Sequence, residues 1–596
     1  MIELLRLFGK ELRQDVKTDT KIFNRVNGGA IKKGYLVTMG ACTEDTVAYL
    51  DEIDINPNAT FYAAWEDVLS KNRIELLMDQ LYHYASTYGT NYEGTPYIPN
   101  NIDIDLPYKE LKVIDTMSLE EAQDRILTMV YSSMPMKDNT LDDIISVLKG
   151  LSISHLVDID TIRNRELKLR MYELQNTVPS DPEELVKYIV YRATGSTLVI
   201  KSREALVKLK SGFIALSDFI NKDNISEISS IFYRYKAIFL ALKHTHDGNA
   251  EIVNKLRRLA KRNHKPMKAP FWNTCFEQTL FNIAKYVDDL SNFKKIALIN
   301  TINARFANTD SDYKPYIIRN GKVFIKEGTH FLKREEVQKY SQIRDILYES
   351  LIRSIRQKKV TVKYNHSINL TLPTSEKTFI GNYPMYSSIK MDIDTIIGIY
   401  WKEKWGARDL DLSFIKAGNF TKIGWDSCYF TNASIIFSGD MTSARPEATE
   451  LLYFKKDEGL AEKGLVRVNN YNGENNSKFN LFVAKEKIEE RDFKKNYMCD
   501  PNNIILRAEC FMDSNDKFLG ITYDKTLYLA TLRFGNNIVS RGSVVADGYS
   551  EYISRSAKSM LTLNDVLKDA GFEDTIIDPD LDFTDPTKDM FMKLLS

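Results

Sequence analysis

Arg408–Phe414 reads RDLDLSF, and residues 433–454 read ASIIFSGDMTSARPEATELLYF. Both are short runs of apolar, β-branched or aromatic residues broken by turn residues, the pattern of a strand and not of a helix. Asp409 and Asp411 are two positions apart, so on a strand their side chains point the same way. Asp440 closes the neighbouring apolar run, where Gly439 lets the backbone turn. Similar runs flank these two: VTVKYNHSINLTL from Val360, TIIGIYWKE from Thr395, FNLFVAKE from Phe479, NIILRAEC from Asn503 and LYLATLRF from Leu527. That spacing predicts an antiparallel β-sandwich over 361–545.

Upstream the period is helical. SLEEAQDRILTMVYSSM opens with Ser118 and carries Glu121 at capping-box spacing. DPEELVKYIVYRATG has Pro182 in its first turn and Gly195 past its end. Further amphipathic runs continue to REEVQKYSQIRDILYESLIRSIRQ, and so many one-sided helices predict stacked hairpins over 111–360. Residues 1–110 mix short helices and strands, with a helix expected over 69–84 and a Gly/Pro/Asn connection after it. Residues 546–596 read as an acidic tail with short helices, in which DTIIDPDLDFTDPTKD is expected to be an extended or poorly ordered arm. The fold class is therefore α+β and multidomain: a mixed N-terminal region, a central all-α helical module and a C-terminal antiparallel β-sandwich.

At 596 residues the chain exceeds one hydrophobic core. Lys plus Arg number 81 and Asp plus Glu number 81, so no overall field selects a nucleic-acid or membrane partner, and such binding would need a local patch. The five cysteines have no CxxC spacing, which favours core thiols in a reducing compartment over disulfides or zinc. The first residues, MIELLRLFGKELRQDVK, lack a signal-peptide pattern, and no run reaches the roughly 18–20 apolar residues of a membrane span. No membrane insertion and a cytoplasmic location are the expectations.

Taken together, RDLDLSF, the Gly-Trp-Asp turn at 424–426, the run ending in Ser-Gly-Asp at 438–440 and LVRVNNYNGE from Leu465 resemble the TerD domain of tellurium-resistance and general stress proteins. The resemblance covers roughly residues 390–545, about a quarter of the chain. It implies a β-sandwich in which the Asp-Leu-Asp strand, the Ser-Gly-Asp end and an acidic loop converge on calcium. On this sequence those positions are Asp409, Asp411 and Asp440, with Glu447 and Glu450 as loop ligands. Calcium takes six to eight oxygens, a demand that carboxylates meet. The segment TSARPEATE departs from the family's more acidic, glycine-richer loop, and Arg408 or Arg445 would neutralise part of such a site.

A second chemistry-bearing run is KLRRLAKRNHKPMK. Lys255, Arg257, Arg258, Lys261, Arg262, Lys265 and Lys268 carry no acidic residue among them, and Phe271 and Trp272 follow. A strip of this kind would neutralise phosphates while aromatics stack on bases; a solvated basic face balanced by acidic residues elsewhere is the competing explanation. No Walker-type or dinucleotide-binding glycine loop is present, and His244 and His246 in HTHDG suit a helix terminus better than a metal pair. The function expected is a non-enzymatic binding or scaffold protein of bacterial stress-response or defence type, calcium-responsive through its TerD-like domain, with a protein partner or self-assembly. The alternatives are an RNA- or DNA-binding scaffold acting through the basic helix, and a phage or particle structural subunit.

Overall fold

The two-residue alternation of the C-terminal runs becomes backbone pairing in two sheets. The computed structural model describes residues 1–13, 20–60, 72, 74–75, 78, 82, 110–266, 275–276, 279–311, 313–317, 322–327, 331–417, 421–425, 434–444, 446–461, 463–486, 499–534 and 543–596. Most of the helix expected over 69–84, the connection after it, and Lys268, Phe271, Trp272, Asp426, Cys428 and Arg445 lie outside the described residues. In chain order the strands are β1 (Glu11–Leu12), β2 (Tyr35–Val37), β3 (Lys112–Ile114), β4 (Thr116–Met117), β5 (Tyr313–Ile317), β6 (Lys322–Glu327), β7 (Val362–Lys363), β8 (Ser388–Lys390), β9 (Thr395–Lys402) and β10 (Ala407–Lys416). They continue with β11 (Lys422–Ile423), β12 (Ile435–Phe437), β13 (Glu447–Phe454), β14 (Gly464–Gly473), β15 (Ser477–Lys485), β16 (Ile504–Met512), β17 (Asp516–Tyr523), β18 (Thr526–Phe534) and β19 (Leu581–Asp582).

One sheet runs β11-β10-β14-β17-β18-β6-β5, with β8 also on β18, and the other β12-β13-β9-β15-β16. They meet through Phe414 of β10 and Phe454 of β13, whose rings stand edge to face at 5.8 Å, and through Trp401 of β9, whose indole N–H donates to the Arg408 carbonyl at 3.3 Å. Apolar contact of this kind, summed over both inner faces, is what drives two sheets together. The central β9 is buried along its whole length, as a strand covered on both faces must be.

The chain divides into two compact units, one of Met1–Leu119 with Ile283–Leu595, the other of Glu120–Asn282 with Ser596. These boundaries differ from the expected divisions at 110, 360 and 545. The reason lies in what each amphipathic face covers, which periodicity alone does not specify. Helices Asn292–Ala307 and Arg334–Arg356 belong with the β-rich unit: Asn292 donates to Ser354 Oγ at 3.0 Å and to the Leu595 carbonyl at 3.1 Å. Residues 54–60 are stitched to the first half of β13, which β12 does not reach. Thr449 N donates to the Ala59 carbonyl at 2.7 Å, and Asn56 Nδ2 to Glu447 Oε1 at 2.8 Å.

The acidic tail is folded rather than extended. β19 pairs in parallel with β7, and Phe591 packs edge to face on Phe379 at 5.8 Å. Asp574 and Asp580 accept from the backbone N–H groups of Tyr364 and Thr361, each at 2.8 Å, and these donors hold both carboxyls below the usual range. Acidity there supplies local acceptors, which composition cannot distinguish from disorder.

The second unit is helical among its described residues. The helix Pro182–Thr194 is capped by the Asp181 side chain, which accepts from Glu184 N, and it ends at Gly195 in the left-handed region, as Pro182 and Gly195 predict. Its core joins Leu185, Ile189, Phe232, Phe239 and Leu256, with the Phe232 and Phe239 rings stacked at 5.5 Å. Among the described residues no helix is long and apolar enough to cross a membrane. Cys42, Cys275, Cys499 and Cys510 are buried.

Gly398 tests the packing of the central strand. A Cβ there would press on the Phe482 ring from β15 and approach Leu451 Cδ2 of β13 at 2.6 Å. Gly398→Ala is expected to destabilise the protein by about 1–3 kcal/mol through overpacking, read as a lowered midpoint in thermal denaturation followed by circular dichroism. An unchanged midpoint would contradict this arrangement.

Candidate functional site

β10 pairs with β14 along its length, whereas on its other side β11 reaches only Phe414 and Ile415. The rest of that edge is crossed by residues 438–444, which leave β12 and return to β13. Ser438 N donates to the Leu451 carbonyl at 2.9 Å, and Ala444 N to the Arg408 carbonyl at 3.1 Å. Gly439, at φ 111°, makes the turn that carries Asp440 towards β10.

Strand alternation and this crossing segment gather three aspartates. Carboxylate oxygens of Asp409, Asp411 and Asp440 all lie within 4.8 Å of one another. The three residues are only 3%, 7% and 4% exposed. Asn469, opposite Asp411 across the β10–β14 register, donates from Nδ2 to Asp411 Oδ2 at 2.8 Å. Ser413 Oγ, two residues further along β10, is buried and has no hydrogen-bond partner among the described residues.

Glu450, from the second sheet, stands near two of these aspartates, Asp440 and Asp411. It lies on β13, fully buried, and its carboxylate takes two backbone donors: Leu412 N at 2.6 Å and Met441 N at 2.9 Å. Burial, and next the nearby charges of Asp440 and Asp411, push its carboxyl well above the usual range, against the pull of the two N–H groups. Carboxylates packed this closely out of water either retain a proton or take up a cation. The donors are oxygens, and neither thiol nor imidazole belongs to the aspartate group. Such a set fits a hard divalent ion such as calcium, and does not fit a soft metal.

Of the other sequence-predicted residues, Glu447 and Arg408 stay outside this cluster, and the histidines and the basic run belong to the other unit. Glu447 is three positions from Glu450 and so faces the opposite way along β13; it accepts from Asn56 and from the Tyr400 hydroxyl. Arg408 is exposed and makes no ion pair among the described residues. His244 and His246 are exposed in the loop ending at Gly248, which precedes the helix Asn249–Asn263. Of the basic run, Lys255, Arg257, Arg258, Lys261 and Arg262 sit on that helix, and Lys265 lies just past its end.

Two contributions were missed in the sequence. Asn469 is one, and the signal for it was the paired asparagines in VRVNNYN, which gain meaning only once β14 is placed in register beside the DLD strand. The other is the role of Glu450, which belongs to a strand and reaches across to a neighbouring strand's backbone instead of projecting from a loop. No known protein family, no curated protein and no solved structure matches this chain.

Proposed function

We propose that the chain is a non-enzymatic binding or scaffold protein whose C-terminal sandwich is a TerD-like, calcium-responsive module of bacterial stress response or defence. The observation that carries this reading is the buried oxygen cluster of Asp409, Asp411 and Asp440, with the buried Glu450 near Asp440 and Asp411. Calcium there would be held by those aspartates, with Glu450 and Ser413 beside them. Its charge would offset the mutual repulsion of the carboxylates and fasten the 438–444 segment to the edge of β10. The response is a local stiffening of one sheet edge, which a partner can read. The TerD resemblance adds the stress-response setting.

Calorimetric titration of the full chain with calcium tests this directly. The wild type is expected to bind with a dissociation constant between about 0.1 μM and 1 mM, and Asp409→Ala/Asp440→Ala to give no binding heat. No heat from the wild type would overturn the reading.

A pH dependence follows from Glu450. With its carboxyl raised in the folded state, the native form binds more protons than the unfolded chain above the ordinary glutamate value of 4.5. This group's contribution to stability is therefore greatest in acid and declines as pH rises towards the folded pKa. Calcium replaces the retained proton, so saturating calcium is expected to raise the thermal midpoint more at about pH 7.5 than at about pH 5. An equal or smaller rise at the higher pH, measured by differential scanning calorimetry, would contradict it.

A further inference from the structure

The helix Asn249–Asn263 buries Val253, Leu256 and Ala260 in the core of the helical unit. At about 100° per residue, Lys255, Arg257, Arg258, Lys261 and Arg262 occupy the opposite arc, and Lys265 follows past the last turn. Arg257, Arg258, Lys261, Arg262 and Lys265 are exposed, and among the described residues none of these cations makes an ion pair. Lys261 and Arg262 also suit the negative end of the helix dipole, but that does not account for Arg257 and Arg258 nearly a turn earlier. At the same end stands an exposed aromatic pair. Tyr233, 44% exposed, meets the His264 ring edge to face at 5.2 Å, and Lys265 N donates to the Ser230 carbonyl at 3.0 Å, fixing the helix end beside it.

We propose that this face binds single-stranded nucleic acid, with phosphates along the basic arc and a base stacked on Tyr233. Three observations favour that occupant. The acidic tail, the chain's own candidate counter-charge, has Asp574, Asp580, Asp582, Asp585 and Asp589 bonded to residues of its own unit. An anionic membrane holds a helix most firmly through an inserted apolar face, and here that face is spent in the core. A basic track ending at an exposed aromatic ring is the arrangement that reads a flexible strand through backbone charge and base stacking; an acidic protein surface has no use for the ring.

The test is fluorescence anisotropy of the full chain with a labelled single-stranded RNA, the DNA of the same sequence, and its duplex, over a series of salt concentrations. Binding to a single strand is expected, with log affinity falling against log salt at a slope of about −3 to −4 for five neutralised phosphates. Whichever strand binds more tightly identifies the source as RNA or DNA. Arg257→Gln/Arg258→Gln/Arg262→Gln is expected to lower affinity at least about tenfold, and Tyr233→Ala about fivefold, while Tyr233→Phe retains it. Thermal midpoints of these surface variants, matched to the wild type, show that the fold is intact. No single-strand binding at low salt, tighter binding to the duplex, indifference to the triple substitution, or equal competition by polyglutamate would each overturn the proposal.

Discussion

The Glu450 carboxylate, accepting from Leu412 N of β10 and Met441 N of the crossing segment, is the interaction on which the candidate site depends. Backbone donors at a strand edge must find acceptors, and when water is excluded the acceptor has to come from the protein. A glutamate reaching from the opposing sheet supplies both at once. The same side chain stands near Asp440 and Asp411, where desolvation and like charge oppose its ionisation. Structural satisfaction and electrostatic tension thus arise from one side chain. A site poised in this way changes its energy strongly with a single proton or a single divalent ion.

Much of the scaffold was legible in the sequence because local rules act over a few residues. Pro182 and Gly195 bracket their helix through torsional limits that any chain obeys, and the short runs after residue 360 announce strands by period, although the first of them, from Val360, yields only the two-residue β7 paired with β19. The shared face of Asp409 and Asp411 and the turn at Gly439 were legible for a related reason, strand period and a permissive glycine, whereas the expectation that Asp440 joins the pair came from the TerD resemblance. What escaped were matters of register and long-range contact. Glu447 and Glu450 look equivalent in TSARPEATE, yet three residues along a strand place them on opposite faces, one with Asn56 and Tyr400, the other on the backbone of Leu412 and Met441. Asn469 depends on which strand lies beside β10, and nothing within its own neighbourhood encodes that.

The same limit explains the domain divisions and the tail. Asn292–Ala307 and Arg334–Arg356 have the same amphipathic pattern as the helices of the other unit, but the surfaces they cover belong to the β-rich part of the chain. The acidic stretch before the C-terminus resembles a disordered arm in composition, whereas its carboxylates act one by one as acceptors for backbone N–H groups on either side of β7. Zero net charge likewise conceals an uneven distribution. Some acidic residues serve in caps and turns and three gather in the buried cluster, while one helix of the other unit presents a solvent face of exposed cations.

Burial and the charges of Asp440 and Asp411 raise the Glu450 carboxyl well above the ordinary glutamate range, so a proton or a cation is favoured there. Infrared difference spectroscopy of metal-free protein, wild type against Glu450→Gln, measures this most directly, because a protonated carboxyl has its own stretching band apart from that of carboxylates. That band is expected at neutral pH in the wild type, is expected to be absent in Glu450→Gln, and is expected to be lost from the wild type when calcium is added. A metal-free wild type without a protonated-carboxyl band at neutral pH, or a band that calcium leaves unchanged, would contradict it.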